Sequence, residues 1–243
     1  METKTKLDWD KFKPLFGTWA DKIKPFFMNG GFDPIYTYLK KEANRGKKIA
    51  PISELTYRCF IETPISECRI ILAGYCPYHT FINGASIADG LCMGCSVTGK
   101  LQPSLQYFYE GIEDELHDGM KLDYIKNPDV SYLAKQGILM YNVALTTEMG
   151  KPGSHLEIWE PFNKFFFEEI IGYTGIPIIF LGKEAGKCAK YVTPFTHVFH
   201  LTHPAYAARM NTTWETEGVF KKVSKIIKEN NNYVIDWLDT LPF

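Results

Sequence analysis

The sequence has no apolar run long enough to cross a bilayer, no internal repeat and no low-complexity tract. It also has almost no net charge, because 27 Lys and Arg stand against 28 Asp and Glu. These absences argue against a membrane-spanning protein, a repeat protein and a nonspecific DNA coat, which would carry a basic surface. Any contact with nucleic acid must therefore depend on a local basic patch.

The amino-terminal residues carry no recognisable targeting signal. Residues 1–6 lead into Leu7, Asp8 and Trp9, where a signal peptide would have its apolar core. We therefore expect a cytoplasmic protein. In that compartment disulfides are rare, so the six cysteines are expected to serve packing or chemistry.

Two of these cysteines form a CxxC pattern at residues 92–95, Cys-Met-Gly-Cys. Such a pattern contributes to zinc or iron–sulfur sites when a second pair of thiolates completes the ligand set. The sequence offers no clean second pair. We therefore expect packed small side chains here, and we predict neither a metal nor an organic cofactor.

The pattern of the remaining chain is typical of one α/β domain. The chain has 243 residues, of which 45% are hydrophobic, and short apolar stretches alternate with amphipathic ones. This alternation predicts a central, twisted, four-stranded parallel sheet with helices on both faces. We expect a helical amino-terminal part over residues 1–60 and an α/β core over residues 61–243.

The elements of this fold can be placed approximately. Strands are predicted at residues 69–74, 138–142, 176–182 and 196–201. Helices are predicted at residues 9–27, 32–44, 104–117, 157–172, 184–190 and 214–230.

Three polar motifs follow predicted strands. Residues 74–79, Gly-Tyr-Cys-Pro-Tyr-His, come after the first strand, Asn142 ends the second and His203 follows the fourth. Because the carboxyl ends of parallel strands meet at one edge of a sheet, these groups are expected to converge there. The hexapeptide taken alone would fit equally well a turn that only joins a strand to a helix.

In order and context the motifs resemble those of the uracil-DNA glycosylase family, family 1. That family has a Gly-Gln-Asp-Pro-Tyr-His loop, a Leu-Leu-Asn-Thr-Val-Leu-Thr strand and a His-Pro-Ser-Pro-Leu-Ser loop. The corresponding segments here are residues 74–79, 139–146 and 201–206. Further likeness lies at residues 133–138, 154–155, 159–162, 235–237 and 241–242. The resemblance covers residues 8–243 and implies the fold of that family.

The resemblance implies a DNA partner and hydrolysis of an N-glycosidic bond, with one pyrimidine nucleotide rotated out of the duplex into a pocket. It implies that His203 donates a hydrogen bond to the negative charge that develops on the departing base. It implies that Asn142 reads the Watson–Crick edge, although a flipped amide could read a cytosine-like edge equally well. Tyr78 is expected to lie against C5 of the base.

The resemblance also implies contacts with DNA phosphates, from Ser104 at the start of a helix and Lys183 after a strand. Lys183 stands where the family usually has a serine. The intercalating leucine of the family corresponds to Ala207, which is too small to fill the space left by a flipped base. The candidates for a replacement wedge are Tyr206, Arg209 and Met210.

Several pocket positions depart from the family. Cys76 replaces the aspartate that positions water, and a thiol with a reference pKa of about 8.5 would be mostly neutral. Tyr75 replaces a glutamine, and Cys95 falls near the phenylalanine that stacks on the base. The loop of residues 80–89 is longer by several residues, and Asp89 within it is our candidate for the missing acid, unless it is only a solvated loop residue. Cys76 could instead attack the sugar, but nothing near it in sequence supplies an obvious base.

Three functions remain open at this point. The first is a DNA glycosylase whose specificity has changed from uracil to a bulkier or modified pyrimidine, such as those of phage DNA. The second is a glycosylase fold that binds a base, a nucleotide or DNA and has lost hydrolysis. The third is a weak but ordinary uracil-DNA glycosylase. For all three we expect a monomer in a microbial or viral setting, acting at the nucleoid.

Overall fold

The structure, a computed structural model, describes residues 5–240. Its α-helices are α1 Trp9–Phe12, α2 Ala20–Met28, α3 Phe32–Asn44, α4 Arg58–Glu62, α5 Pro103–Leu116, α6 Ser131–Lys135, α7 Leu156–Phe165, α8 Lys183–Gly186, α9 Pro204–Met210 and α10 Val219–Asn231. Its strands are β1 Ile49–Ala50, β2 Ile70–Gly74, β3 Phe81–Ile82, β4 Ala85–Ser86, β5 Ile138–Asn142, β6 Thr147–Glu148, β7 Ile178–Leu181 and β8 Val198–Leu201. Leu241 and Pro242, part of the carboxy-terminal likeness, lie outside the described residues.

The central sheet has four parallel strands in the order β5-β2-β7-β8, with helices around it. Every residue of β2, β5 and β7 is buried, as expected for strands covered on both faces. The predicted α/β fold class is therefore confirmed. The register places Gly74 beside Asn142 and Leu181 beside Leu201, so the carboxyl ends of all four strands lie along one edge.

The predicted helix over residues 9–27 is interrupted. Between α1 and α2 lies a 3₁₀ segment, Lys13–Trp19, with Pro14 in its first turn. Gly17 within it has φ of 50° and ψ of −128°, which no helix accommodates. Pro14 and Gly17 together interrupt the segment that the apolar periodicity alone predicts to be one helix.

Other helix boundaries also differ from the sequence prediction. α10 begins at Val219 and not at residue 214, because Glu217 and Gly218 have φ of 54° and 70°. α7 continues into a π-helical segment, Phe166–Ile171, and α8 into a 3₁₀ segment, Lys187–Tyr191. The short helices α4, α6 and α9 were not predicted at all.

A small hairpin occupies the long loop after His79. β3 pairs with β4 across the two-residue turn Asn83-Gly84, whose residues have φ of 52° and 81°. Asn-Gly at two such positions is typical of a type I′ turn. The backbone N–H of Ile87 donates to the carbonyl of Thr80 over 3.1 Å and closes the hairpin at its base.

Aromatic rings pack the space between the amino-terminal helices and the sheet. Trp19 is fully buried, and its indole N–H donates to the carbonyl of Thr63 over 2.7 Å. Its ring contacts Phe60 and Phe166, at centroid distances of 5.6 and 5.8 Å. This packing holds the helical part against the sheet and leaves the carboxyl edge free. Within residues 5–240, no helix is both long and apolar enough to span a membrane.

Candidate active site

A cavity of about 300 Å³ opens at the carboxyl edge of the sheet. Its walls come from the loops that follow β2 and β7, from the end of β5, and from α5 and α9. The site residues predicted from the sequence that line this cavity are Tyr75, Cys76, Tyr78, Ser104, Asn142, Lys183, His203 and Arg209. The structure therefore brings together residues that are separated by more than a hundred positions in the chain.

The loop after β2 is fixed to the end of β5 by the backbone. The N–H groups of Val143 and Ala144 donate to the carbonyls of Gly74 and Tyr75, over 3.0 and 3.1 Å. A side chain at Gly74 would collide with Sγ of Cys92 and lie 3.0 Å from Oδ1 of Asn142. Glycine is therefore required for these two side chains to approach the strand end.

Asn142 presents an uncommitted amide to this cavity. The residue is only 4% exposed, and its side chain makes no hydrogen bond to any other residue between 5 and 240. A nearly buried amide that lacks partners loses the free energy of its hydrogen bonds with water unless a ligand replaces them. Its one acceptor and two donors are thus available to the edge of a base.

His203 is the N-cap of α9, and its ring is held in one tautomer. The backbone N–H of Ala205 donates to Nδ1 over 3.1 Å, so the proton of the neutral ring is on Nε2. Burial, together with the positive charge of Arg209, lowers the pKa of His203 to about 4. At neutral pH the residue is therefore an uncharged hydrogen-bond donor at the wall of the cavity.

This shift predicts a measurable pH dependence. In the unfolded chain His203 binds a proton near pH 6.5, but in the folded chain only near pH 4, so acid favours the unfolded state. The penalty is absent above pH 7 and reaches about 3 kcal/mol at pH 4. We expect the free energy of unfolding to fall by that amount relative to a His203→Gln variant, as measured by urea titration at several pH values. If the free energy of unfolding of the two proteins changed with pH by the same amount, the lowered pKa of His203 would be contradicted.

Cys76, where the resemblance leads us to expect an aspartate, lines the cavity. Burial raises the pKa of its thiol to about 11, an effect only partly offset by a hydrogen bond with the backbone of Gly153. The thiol therefore stays protonated at neutral pH, and it supplies neither negative charge for a sugar cation nor a strong acceptor for water. Beside it, the hydroxyl of Tyr75 donates to the carbonyl of Pro152 over 3.3 Å.

Tyr78 is fixed by a hydrogen bond between its hydroxyl and that of Ser104, over 2.7 Å. Ser104 lies in the first turn of α5 and is buried. Its hydroxyl is therefore engaged in positioning Tyr78. A phosphate contact by Ser104, as expected from the sequence, would have to share this hydroxyl.

Asp89 does not lie among the residues that line the cavity. Its carboxylate is buried, accepts from the backbone of Leu91 and from the backbone and hydroxyl of Ser96, and forms an ion pair with Arg58 at 3.1 Å. These bonds fasten the end of the long loop to α4. Asp89 is thus neither a solvated loop acid nor a carboxylate at the wall of the cavity.

The CxxC segment lines the cavity through Cys92 and Met93, whereas Cys95 is fully buried and does not. Met93 has φ of 67°, a left-handed conformation that non-glycine residues rarely adopt. The backbone on both sides of Met93 is held by hydrogen bonds. The N–H groups of Cys92 and Gly94 donate to the carbonyls of Met140 and Leu91, over 2.9 and 3.1 Å. Met93 therefore lines the cavity, where Cys95 was expected from the sequence.

Two cations stand at the mouth of the cavity. Lys183 begins α8 and Arg209 lies on α9, and neither forms an ion pair within the described part of the chain. Tyr206 does not line the cavity, but its side chain is 54% exposed, and Met210, four residues later on the same helix, is 57% exposed. Glu184 also lines the cavity and was missed from the sequence, since nothing distinguishes it from other surface acids.

The described residues contain no group of three or more His, Cys, Asp or Glu side chains arranged to hold a metal ion. In particular, Cys92 and Cys95 are separate buried thiols.

Comparison with known proteins agrees with this architecture. No family model matches the sequence. The chain is 28% identical over 239 residues to a uracil-DNA glycosylase of Pseudomonas aeruginosa, covering 94% of this chain and 96% of that protein. It is also 28% identical to a uracil-DNA glycosylase of Streptococcus pneumoniae, covering 91% of this chain and 98% of the relative.

Solved structures show the same fold. The mimivirus uracil-DNA glycosylase superposes with a TM-score of 0.79 at 22% identity, over 96% of this chain and 90% of that one. The enzyme from Nitratifractor salsuginis superposes with a TM-score of 0.60 at 17% identity, over 96% of this chain and 100% of that one. Similarity to uracil-DNA glycosylases therefore extends along nearly the whole length of this chain in sequence, and the solved structures share its fold.

Proposed function

We propose that this protein is a DNA N-glycosylase that takes a flipped pyrimidine nucleotide into the cavity and hydrolyses its glycosidic bond. The observation that carries the proposal is the neutral His203, with its proton on Nε2, at the wall that also presents the uncommitted amide of Asn142. The amide of Asn142 can recognise the base, and the imidazole of His203 can stabilise the base as it departs.

The proposed reaction breaks the bond between the base nitrogen and C1′ of the sugar. The bonding electron pair stays with the base, and the negative charge on its oxygen is stabilised by the hydrogen bond from Nε2 of His203. Water then forms a bond with the cationic C1′ and loses a proton to solvent, which leaves an abasic site. Because the pKa of His203 is about 4, the imidazole donates a hydrogen bond without transferring its proton.

We further propose that specificity has moved from uracil to a modified or bulkier pyrimidine. Three positions around the base support this: a thiol at Cys76, a phenol at Tyr75 and a flexible thioether at Met93. With Cys76 protonated, this position supplies no negative charge to balance the sugar cation. A base that leaves more readily as an anion needs less of that help.

The deciding experiment measures abasic-site formation on matched oligonucleotides. One set carries uracil, and the others carry hydroxymethylated or glucosylated pyrimidines. Product on modified DNA alone is the expected result. Product on uracil alone would identify a weak but ordinary uracil-DNA glycosylase, and would overturn the change of specificity while preserving the reaction.

Filling the cavity provides a separate test. We expect Met93→Phe to place a rigid ring where a flexible side chain now lies, and to slow release of a bulky base about tenfold more than release of uracil. The conservative Met93→Leu variant serves as the control for side-chain volume. Equal slowing of both bases, measured as single-turnover rates, would count against a cavity adapted to larger substrates.

The second candidate function is a base-binding or DNA-binding protein without hydrolysis. It is favoured by the raised pKa of Cys76, which removes the charge expected at the reacting sugar. This candidate predicts a stable complex with DNA that yields no abasic product on any substrate. A complex of that kind, weakened by Asn142→Ala, would replace the glycosylase proposal.

A further inference from the structure

A second cavity, of about 360 Å³, lies between α3 and the segment that carries β1, and it shares no lining residue with the first. Its walls are mainly apolar, formed by the side chains of Leu39, Ala43, Ile49 and Pro51 and by two tyrosine rings. An apolar cavity of this volume that is open to solvent has room for an apolar side chain from another molecule.

Two phenol groups face each other in this cavity. The hydroxyls of Tyr36 and Tyr57 lie 3.3 Å apart, and only one of them can donate to the other. The second phenol proton is therefore available to an oxygen of a ligand. In contrast, the hydroxyl of Thr146 is already engaged, since it bonds Nε1 of Trp159 and Nδ1 of His155 over 2.7 and 2.9 Å.

The surface around the cavity is basic. Lys40 and Lys47 line it, and Lys41 and Lys48 adjoin them in the chain with exposed side chains. Neither Lys40 nor Lys41 has an ion-pair partner within residues 5–240. These two cations can therefore attract an acidic partner without first breaking an existing pair.

The neighbouring acids do not cancel this charge. Glu148 is shared by Lys47 and Lys151, at 2.6 and 3.0 Å, and Glu42 is paired with Arg45 at 2.9 Å. One carboxylate with two lysines leaves an excess of positive charge on that side of the cavity. The site thus combines an apolar interior, one available donor and a cationic rim.

We propose that this cavity is a docking site for an acidic peptide segment that inserts one aromatic side chain. The ring would pack against Leu39, Ile49 and Pro51, and the flanking carboxylates would lie near Lys40 and Lys41. Charge complementarity selects the acidic segment, and the apolar cavity selects the inserted ring. A nucleic-acid phosphate would use the lysines alone and would leave the apolar interior unexplained.

The test uses the full chain and a fluorescein-labelled peptide of Asp and Glu residues with a single phenylalanine, followed by fluorescence anisotropy. Ala43 is exposed on α3, so Ala43→Trp can block the cavity without disturbing the core. Lys40→Glu reverses one rim charge. The matched control is Lys228→Glu, an exposed lysine of α10 that does not line the cavity.

We expect saturable binding that weakens at least tenfold with Ala43→Trp, with Lys40→Glu, and with a peptide in which the phenylalanine is replaced by alanine. Lys228→Glu should leave it unchanged. No binding, or equal binding of the peptide that lacks phenylalanine, would overturn the proposal. Loss of affinity for duplex DNA with Lys40→Glu, equal to the loss for peptide, would assign the surface to nucleic acid. Abasic-site formation is measured separately and does not bear on this result.

Discussion

Replacement of His203 by alanine is expected to slow base release by about 30-fold to 1,000-fold, which corresponds to roughly 2–4 kcal/mol of transition-state stabilisation. The reason is the fixed tautomer: because Nδ1 accepts from Ala205, Nε2 carries the proton that meets the developing anion. Affinity for DNA should change little, since this hydrogen bond strengthens only as the base departs. Single-turnover rates and binding to the same oligonucleotide measure the two quantities.

The matched control for this variant is His200→Ala. His200 lies on β8, is exposed, stacks on Phe180 and does not line the cavity. It should retain the rate of the unmodified chain. A His203→Ala protein that releases base at that same rate would remove the imidazole from the mechanism.

Replacement of Cys76 by aspartate is expected to accelerate base release by about 100-fold, within the range usual for a positioned acid or base. The present thiol has a pKa of about 11 and carries no charge at neutral pH, whereas a carboxylate would stabilise the sugar cation and orient water. The gain should be lost in acid as the new carboxyl group is protonated. Rates on the preferred base between pH 5 and pH 8 measure both effects.

Cys76→Ser separates charge from size in that experiment. Serine is close in volume to cysteine but remains neutral, so it should leave the rate within a few-fold of that of the unmodified chain. Equal rates for the serine and aspartate variants would mean that negative charge at this position does not limit the reaction. If the aspartate variant alone forms abasic sites, the unmodified chain is a binding protein whose fold retains the other catalytic parts.

Strands β2, β5 and β7 could be placed from sequence because each is a continuous, mainly apolar run that ends at, or is followed by, a glycine or asparagine. The runs at Ile70–Gly74 and Ile138–Asn142 required no knowledge of the rest of the chain. The interruption at Gly17 was missed, because a single positive φ inside an apolar periodic segment leaves no mark on the periodicity.

The buried ion pair of Asp89 could not be predicted, for a different reason. Its partner Arg58 lies 31 residues earlier, and nothing local to either residue indicates that α4 brings them together. Met93 was missed because the resemblance to the family suggested Cys95 at this place. The left-handed backbone at Met93 could not be predicted from the neighbouring residues. Ion pairs between distant residues and local backbone strain are difficult to predict from a single sequence.

The hairpin of β3 and β4 has a consequence for how this chain can change over evolutionary time. Because Thr80 and Ile87 are already joined by a backbone hydrogen bond, the six residues between them form a unit whose two ends meet. Deleting such a unit, or exchanging it for a hairpin of another length, leaves its neighbours in place. The loop between His79 and Asp89 is therefore a natural insertion point, where descendants of this gene can gain or lose residues while the pocket keeps its shape.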